Sequence, residues 1–414
     1  MEATGVESPP AWEGGSIVVN ACIYVLCLVL YIPALVVNFM PVGLSVVSSM
    51  CVLLGLLALH RSPMASWKYV AVPFLAAWAL LSTLGLGLTS SELRYLVLFP
   101  VAVLLGYLLY ISGYTFRLVR IFLRVSLVMA ILATFEWSSR RSIIGDDSRF
   151  EFFSRMRTFR AAVASDHPLV LAMFLVAGIC AVCALEFSFR KRAVLVTLLL
   201  MGVWSTDGRF PLALGVILGL AVVFGPRRLL ETFSARKRWL MAGSVVLWLV
   251  IAHLSVYRWT NSAFGGTAAE SSAAYRPAIY SFIPDIIKSN PLGVGFDDIP
   301  RGVWLVRGRS VIYDLGNTVD SELVLLALRF GVVGLVAFAA IWIIFIMCPR
   351  QIAPIGLMGS ALMVGGLTTA LSAWNTLGSF LFILLGISLG SIRRRGKQKD
   401  EIAERANVVQ AGAL

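Results

Sequence analysis

Towards the far end of the chain stand residues able to handle a charged ligand. Asp320-Ser321 is followed by nine residues, Glu322 to Phe330, and then by Gly331-Val332-Val333-Gly334. Upstream lie Arg276, the turn Asn290-Pro291-Leu292-Gly293-Val294-Gly295-Phe296, and Asn317. Earlier, Thr206-Asp207-Gly208-Arg209 separates two short apolar runs, and Arg157, Arg160 and His167 lead into another. Arginine suits phosphate because its planar fork meets two oxygens at once. Arginines gathered on one face of a membrane therefore point to an anion, with phosphate first. The plainer reading is a set of solvated loops, their arginines balanced by Asp146, Asp147, Glu151, Asp297 and Asp298.

The elements that must position these residues are apolar. Of 414 residues 59% are hydrophobic and 14% charged, with mean hydropathy +0.86, so the solvent is largely lipid. A membrane span needs about 20 mainly apolar residues. Such runs fall near 16–37, 41–60, 69–89, 93–112, 117–136, 167–187, 191–205, 210–225, 238–257, 322–347, 352–370 and 373–391. The expected fold is all-α and polytopic, with about twelve transmembrane helices over 16–391. A tail over 1–15 precedes them, and a basic tail over 392–414 follows.

Lys and Arg in the short connections set the orientation. Arg61, Lys68, Arg117, Arg120, Arg190 to Arg192, Arg227, Arg228, Arg236 to Arg238, Arg350 and the 393–399 cluster alternate regularly along the chain. Twelve spans put all of them, and both termini, in the cytoplasm. The net charge of +13 is then topological, and nucleic acid is not needed to explain it. Two long loops, 137–166 and 258–320, fall outside. The stretch from Arg276 to Gly334 is the polar island of the chain, and Trp304, Phe296 and Tyr313 within it argue for order. The acidic N-terminus lacks the basic flank of a signal peptide, so the first apolar run is expected to stay as a span. Cys180 and Cys183 form a CxxC inside an apolar run with no His nearby, which reads as packing rather than metal or redox chemistry.

The ordered set Arg276, Asn290-Pro-Leu-Gly-Val-Gly295, Asp320-Ser321 and Gly331-x-x-Gly334 resembles the O-antigen ligase/polymerase family of bacterial polysaccharide membrane enzymes. Thr206 to Arg209 looks like that family's Ser-Arg element at the outer end of a span. Asp166-His167-Pro168-Leu169 looks like its His-Pro entry into a span. The resemblance covers roughly 150–390 and rests on order and spacing rather than on any single motif. Ligases carry His where this chain has Asp320, whereas polymerase-like members often carry Asp. That tilts the expectation toward a polymerase. Arg276 is followed by Tyr280 where the ligases have Leu.

The resemblance implies a donor glycan linked through diphosphate to a polyprenyl lipid, in the inner membrane of a bacterium. Such a donor already carries its leaving group, so no cofactor and no metal is implied. Arg209 and Arg276 would neutralise the departing diphosphate, each such group being worth about 10²–10³ in rate. Asp320 would be the general base on the acceptor hydroxyl, with inversion at the anomeric carbon. Arg157, Arg160, His167, Asn290, Gly293, Gly295, Asn317, Ser321 and Glu322 would line the substrate site. Partners would be the membrane lipid and a flippase and chain-length regulator of the same pathway.

Each residue also has a structural reading. Asp320 could cap the helix that starts near Ser321, a role compatible with catalysis. Asp207 to Arg209 could be a tight turn, though an arginine at the edge of an apolar segment is costly without a partner. The Asn290–Gly295 turn lacks the following Lys-Ser/Thr of a P-loop and reads as shaping a site. His167 reads as a polar residue at a span start, and His253 as a satisfied core histidine. Glu322 could be a second carboxylate or could only favour the helix dipole. The remaining alternatives are a ligase on the same fold and a transporter of an anionic lipid or solute.

Overall fold

The computed structural model describes residues 17–32, 49–53, 93–143, 159–163, 165, 167–185, 187–225, 279–280, 282–297, 299–307, 312–316 and 319–411. The described chain is overwhelmingly helical. In order come α1 (Ile17–Tyr31), α2 (Phe99–Ile111, entered through a π-helical stretch Leu93–Leu98), α3 (Thr115–Ser139), α4 (Pro168–Val182), α5 (Phe189–Ser205) and α6 (Arg209–Phe224). A short α7 (Ile283–Ser289), strands β1 (Leu305–Arg307) and β2 (Ile312–Asp314), α8 (Glu322–Ile346), α9 (Ala353–Gly366) and α10 (Asn375–Ala411) follow. Among the described residues four helices are long and apolar enough to cross a membrane: Arg94–Ile111, Thr115–Ser139, Glu322–Ile346 and Asn375–Arg394. Shorter apolar helices are Ile17–Tyr31, Pro168–Val182, Arg209–Phe224 and Ala353–Gly366. The expected spans at 69–89 and 238–257, and most of 41–60, lie outside the described residues.

α4 is the hub. Every residue from Val170 to Val182 is buried, so the helix is apolar all round because it is surrounded all round. α3, α5, α6 and α9 pack against it. Tyr31, Phe122, Phe174 and Phe380 bring α1, α3, α4 and α10 together, with Phe122 and Phe380 stacked at 4.3 Å and Tyr31 to Phe174 at 4.7 Å. The Tyr31 hydroxyl meets Ser126 Oγ at 2.6 Å, which satisfies a phenol that is otherwise buried in hydrocarbon. In lipid no solvent-driven force holds helices together, so close backbone approach matters. α2 and α10 approach so closely that a Cβ at Gly106 would overlap the Ile383 carbonyl, and one at Gly386 the Val103 carbonyl.

Three features depart from the sequence expectation. The segment before Asp320, expected as one long loop, contains α7 and the β1–β2 ribbon, with Val306 paired to Tyr313. Ile279, Ile286 and Leu315 pack there on Val324 and Leu328 of α8 as a small second core. α10 runs on without a break into the basic tail, as far as Ala411. α8 is interrupted at Gly331, whose φ of 56° and ψ of −134° are not helical.

Candidate functional site

The break in α8 has a definite cause. Breaking a span frees backbone groups that hydrocarbon cannot satisfy. Here the Asn290–Phe296 turn satisfies them: Val294 N–H donates to the Leu328 carbonyl at 2.9 Å and Gly295 N–H to the Arg329 carbonyl at 2.6 Å. In return Val332 N–H donates to the Pro291 carbonyl at 3.0 Å. Gly293 and Gly295 have φ near +72° and +71°, and a Cβ on Gly293 would overlap the Arg329 carbonyl. A Cβ on Gly331 would overlap the Pro291 carbonyl, and one on Gly334 the Leu326 carbonyl. The two sequence motifs are thus one object. The Asn-Pro-x-Gly-x-Gly turn is the plug, and Gly331-x-x-Gly334 is the socket.

Arg329 sits at this joint, 8% exposed. Its Nη1 donates to the Phe296 and Asp297 carbonyls at 3.3 and 3.2 Å, and its guanidinium lies 5.9 Å from the centre of the Tyr95 ring. Tyr95 in turn meets Phe296 and Phe330, the latter edge-on at 5.1 Å. Arg329 was missed in the sequence, although an arginine at the eighth position of an apolar run is a signal in itself.

At the head of α8 the capping expectation is corrected. Ser321, with extended backbone, is the N-cap, and Asp320 stands one residue outside it, exposed. Ser321 Oγ does not cap by its side chain; it meets the Tyr280 hydroxyl at 2.9 Å, and that hydroxyl also donates to the Leu367 carbonyl. Glu322 is neither a surface partner of the helix dipole nor an open second carboxylate. It is 4% exposed, and its Oε2 accepts from Ser372 N–H at 2.8 Å. Arg94 is close enough for its charge to act on Glu322, while its Nη1 donates to the Ala373 and Ser372 carbonyls at 2.7 and 3.2 Å.

A second group gathers where α4 and α6 begin and α5 ends. Glu136, buried near the end of α3, accepts from the amides of Ile143, Ala162 and Val163, which clamps the end of the α3–α4 connection. From that clamp Arg160 Nε donates to the Thr206 carbonyl at 3.0 Å. Burial lowers the Arg160 pKa, and the Asp207 carboxylate beside it opposes that shift. His167 is the N-cap of α4, its Nδ1 accepting from Leu169 N–H at 3.1 Å. Burial, with the Arg160 charge adding to it, pushes its pKa down to about 4. Thr206 to Gly208 form the turn into α6, Asp207 in a left-handed conformation with φ 53°, and Arg209 opens the helix exposed.

The two groups meet through Trp374. The His167 ring stacks on it at 5.4 Å, and it lies two residues from the Ser372 amide held by Glu322. So Arg209, Arg160 and His167 occupy one side of this end of the bundle, and Asp320, Ser321 and Glu322 the other. The connection Thr368–Thr376 lies between them. Three polar atoms in it, Thr369 Oγ1, Asn375 Oδ1 and Thr376 Oγ1, are buried with no hydrogen-bond partner among the described residues. Arg157, Arg276 and Asn317 lie outside the described residues. Asn290, Gly293 and Gly295 belong to the plug. Among the described residues no cluster of three His, Cys, Asp or Glu side chains could hold a metal ion.

No protein-family model matches the chain, and no curated protein matches it.

Proposed function

We propose that the chain is a polysaccharide polymerase of a bacterial cytoplasmic membrane. It joins polyprenyl-diphosphate-linked oligosaccharide repeats on the outer face, within a bundle of about twelve spans whose termini are cytoplasmic. The acceptor hydroxyl oxygen attacks the anomeric carbon of the donor as the bond to the lipid diphosphate breaks. Asp320 takes the hydroxyl proton, and Arg209 and Arg276 neutralise the departing diphosphate. Asp320 in place of the ligases' His favours polymerisation over transfer to another acceptor.

One observation carries the reading. The two motifs on which the family resemblance rests, far apart in sequence, interlock at Gly331 and leave Asp320 exposed at the mouth of the broken span. The orphaned polar atoms of Thr369, Asn375 and Thr376 support a polar ligand at the same end. The test is purified protein given only a lipid-diphosphate oligosaccharide, in EDTA. The reading expects a ladder of longer glycans, and unchanged substrate would count against it.

A second reading has its own support. Interrupted spans also build the substrate sites of transporters, so a carrier of an anionic lipid fits the break at Gly331. Glu136 does not help that reading, because backbone amides already hold its carboxylate. Movement of unmodified substrate across vesicles, with no ladder, would select it.

A further inference from the structure

The opposite end of the bundle carries a feature that the polymerase reading does not use. A groove of about 670 Å³ opens between the start of α3, the α4–α5 connection and the start of α5. Arg120, Arg124 and Lys191 line it together with Leu127, Phe187 and Leu195. The described lining contains three cations and no carboxylate; Glu186, next in sequence to Phe187, lies outside the described residues. Arg124 is fixed in place, its Nη1 donating to the Tyr24 hydroxyl of α1 at 2.8 Å. Lys191 rests over the Phe187 ring at 4.7 Å. Arg120 has no carboxylate partner among the described residues.

We propose that this groove binds one anionic phospholipid, with its phosphate diester held between Arg120, Arg124 and Lys191. Two properties argue for a lipid over a soluble anion. The cations stand at the edge of apolar helices, where headgroups lie, and Leu127 and Leu195 continue the wall in a form that suits an acyl chain rather than water. Lys and Arg at a membrane surface are drawn to an anionic leaflet. Zwitterionic lipid lacks the net charge that three cations select. The site is independent of the catalytic proposal, being at the other end of α3, α4 and α5.

The experiment uses the full chain in detergent, titrated separately with phosphatidylglycerol, phosphatidylcholine and inorganic phosphate, with bound mass read by native mass spectrometry. The expected result is one retained phosphatidylglycerol, bound at least about tenfold more tightly than phosphatidylcholine. In R120A/K191A that affinity falls at least about tenfold. In Arg393→Ala it is unchanged, since that residue lies at the same end but outside the groove, bonded to Tyr107. Should R120A/K191A fail to fold, Leu195→Trp tests the same site by filling the groove with every charge intact, and it should also displace the lipid. Equal affinity for the two lipids overturns the proposal. So does undiminished phosphatidylglycerol binding in these variants, or saturable binding of inorganic phosphate that R120A/K191A abolishes.

Discussion

Gly331 lies against the carbonyl of Pro291 so closely that no other residue fits between them, and the Val332 amide donates to that same carbonyl at 3.0 Å. One contact thus explains why a turn forty residues upstream and a break inside a membrane helix occur together. Removing either partner leaves the other with unsatisfied backbone in a low-dielectric setting.

The glycines of this joint should therefore respond unequally. Gly331→Ala and Gly293→Ala meet backbone atoms as well as a positive φ, so each should cost more than the roughly 1–3 kcal/mol of conformational strain alone. Gly295→Ala meets nothing within 4 Å and should cost only about 1–2 kcal/mol from its φ. Thermal unfolding of the three variants in detergent checks the order. Equal losses at Gly293 and Gly295 would contradict the interlocked geometry.

Glu322 is expected to act through hydrogen bonding at least as much as through charge. Glu322→Gln keeps an oxygen for the Ser372 amide and should stay folded, whereas Glu322→Ala leaves that amide unsatisfied, at about 1–3 kcal/mol. Comparing the melting temperatures of the two variants separates the roles. If Gln and Ala are equally damaging, the negative charge beside Arg94 matters more than the hydrogen bond.

His167 gives the protein a defined acid sensitivity. Its folded pKa of about 4 lies below the ordinary 6.5, so between those values the unfolded chain binds the proton and the folded one does not. Stability from this residue is full above pH 6.5 and falls as pH drops toward 4, by up to about 3 kcal/mol. His167→Asn retains a capping side chain and should flatten the melting temperature between pH 6.5 and 4. An unchanged slope would show that other groups carry it.

Arg209 offers a test of role without loss of fold. It is exposed at the first turn of α6 and Gly208 provides the cap, so Arg209→Ala should melt like the parent chain. If it meets the departing diphosphate, glycan extension falls about 10²–10³-fold. Parent-like extension would return it to the role of a turn residue.

What could be read from the sequence followed physical scale. Runs such as 117–136 and 210–225 became helices Thr115–Ser139 and Arg209–Phe224 because hydrocarbon leaves an apolar backbone few options. The Asn290–Gly295 turn was legible as a turn from its Pro and Gly, and Ser321-Glu322 as a helix start. That the turn plugs α8 was not legible, because hydropathy is continuous across Gly331 and a break depends on a partner distant in sequence. Nor was the environment of Glu322, read as a second carboxylate or a helix-dipole residue from its place in a first turn; only the fold brings the Ser372 amide and Arg94 to it. Arg329 was visible as an arginine in an apolar run, but its carbonyl partners were not, since they belong to the turn.

The central claim rests on Asp320. The most direct measurement is the glycan made by cells whose only copy carries Asp320→Asn, a change at an exposed residue outside the helix cap. The account predicts an inserted, folded protein, no high-molecular-weight polysaccharide, and accumulation of lipid-linked single repeats. Long chains in normal amount from that variant would contradict it.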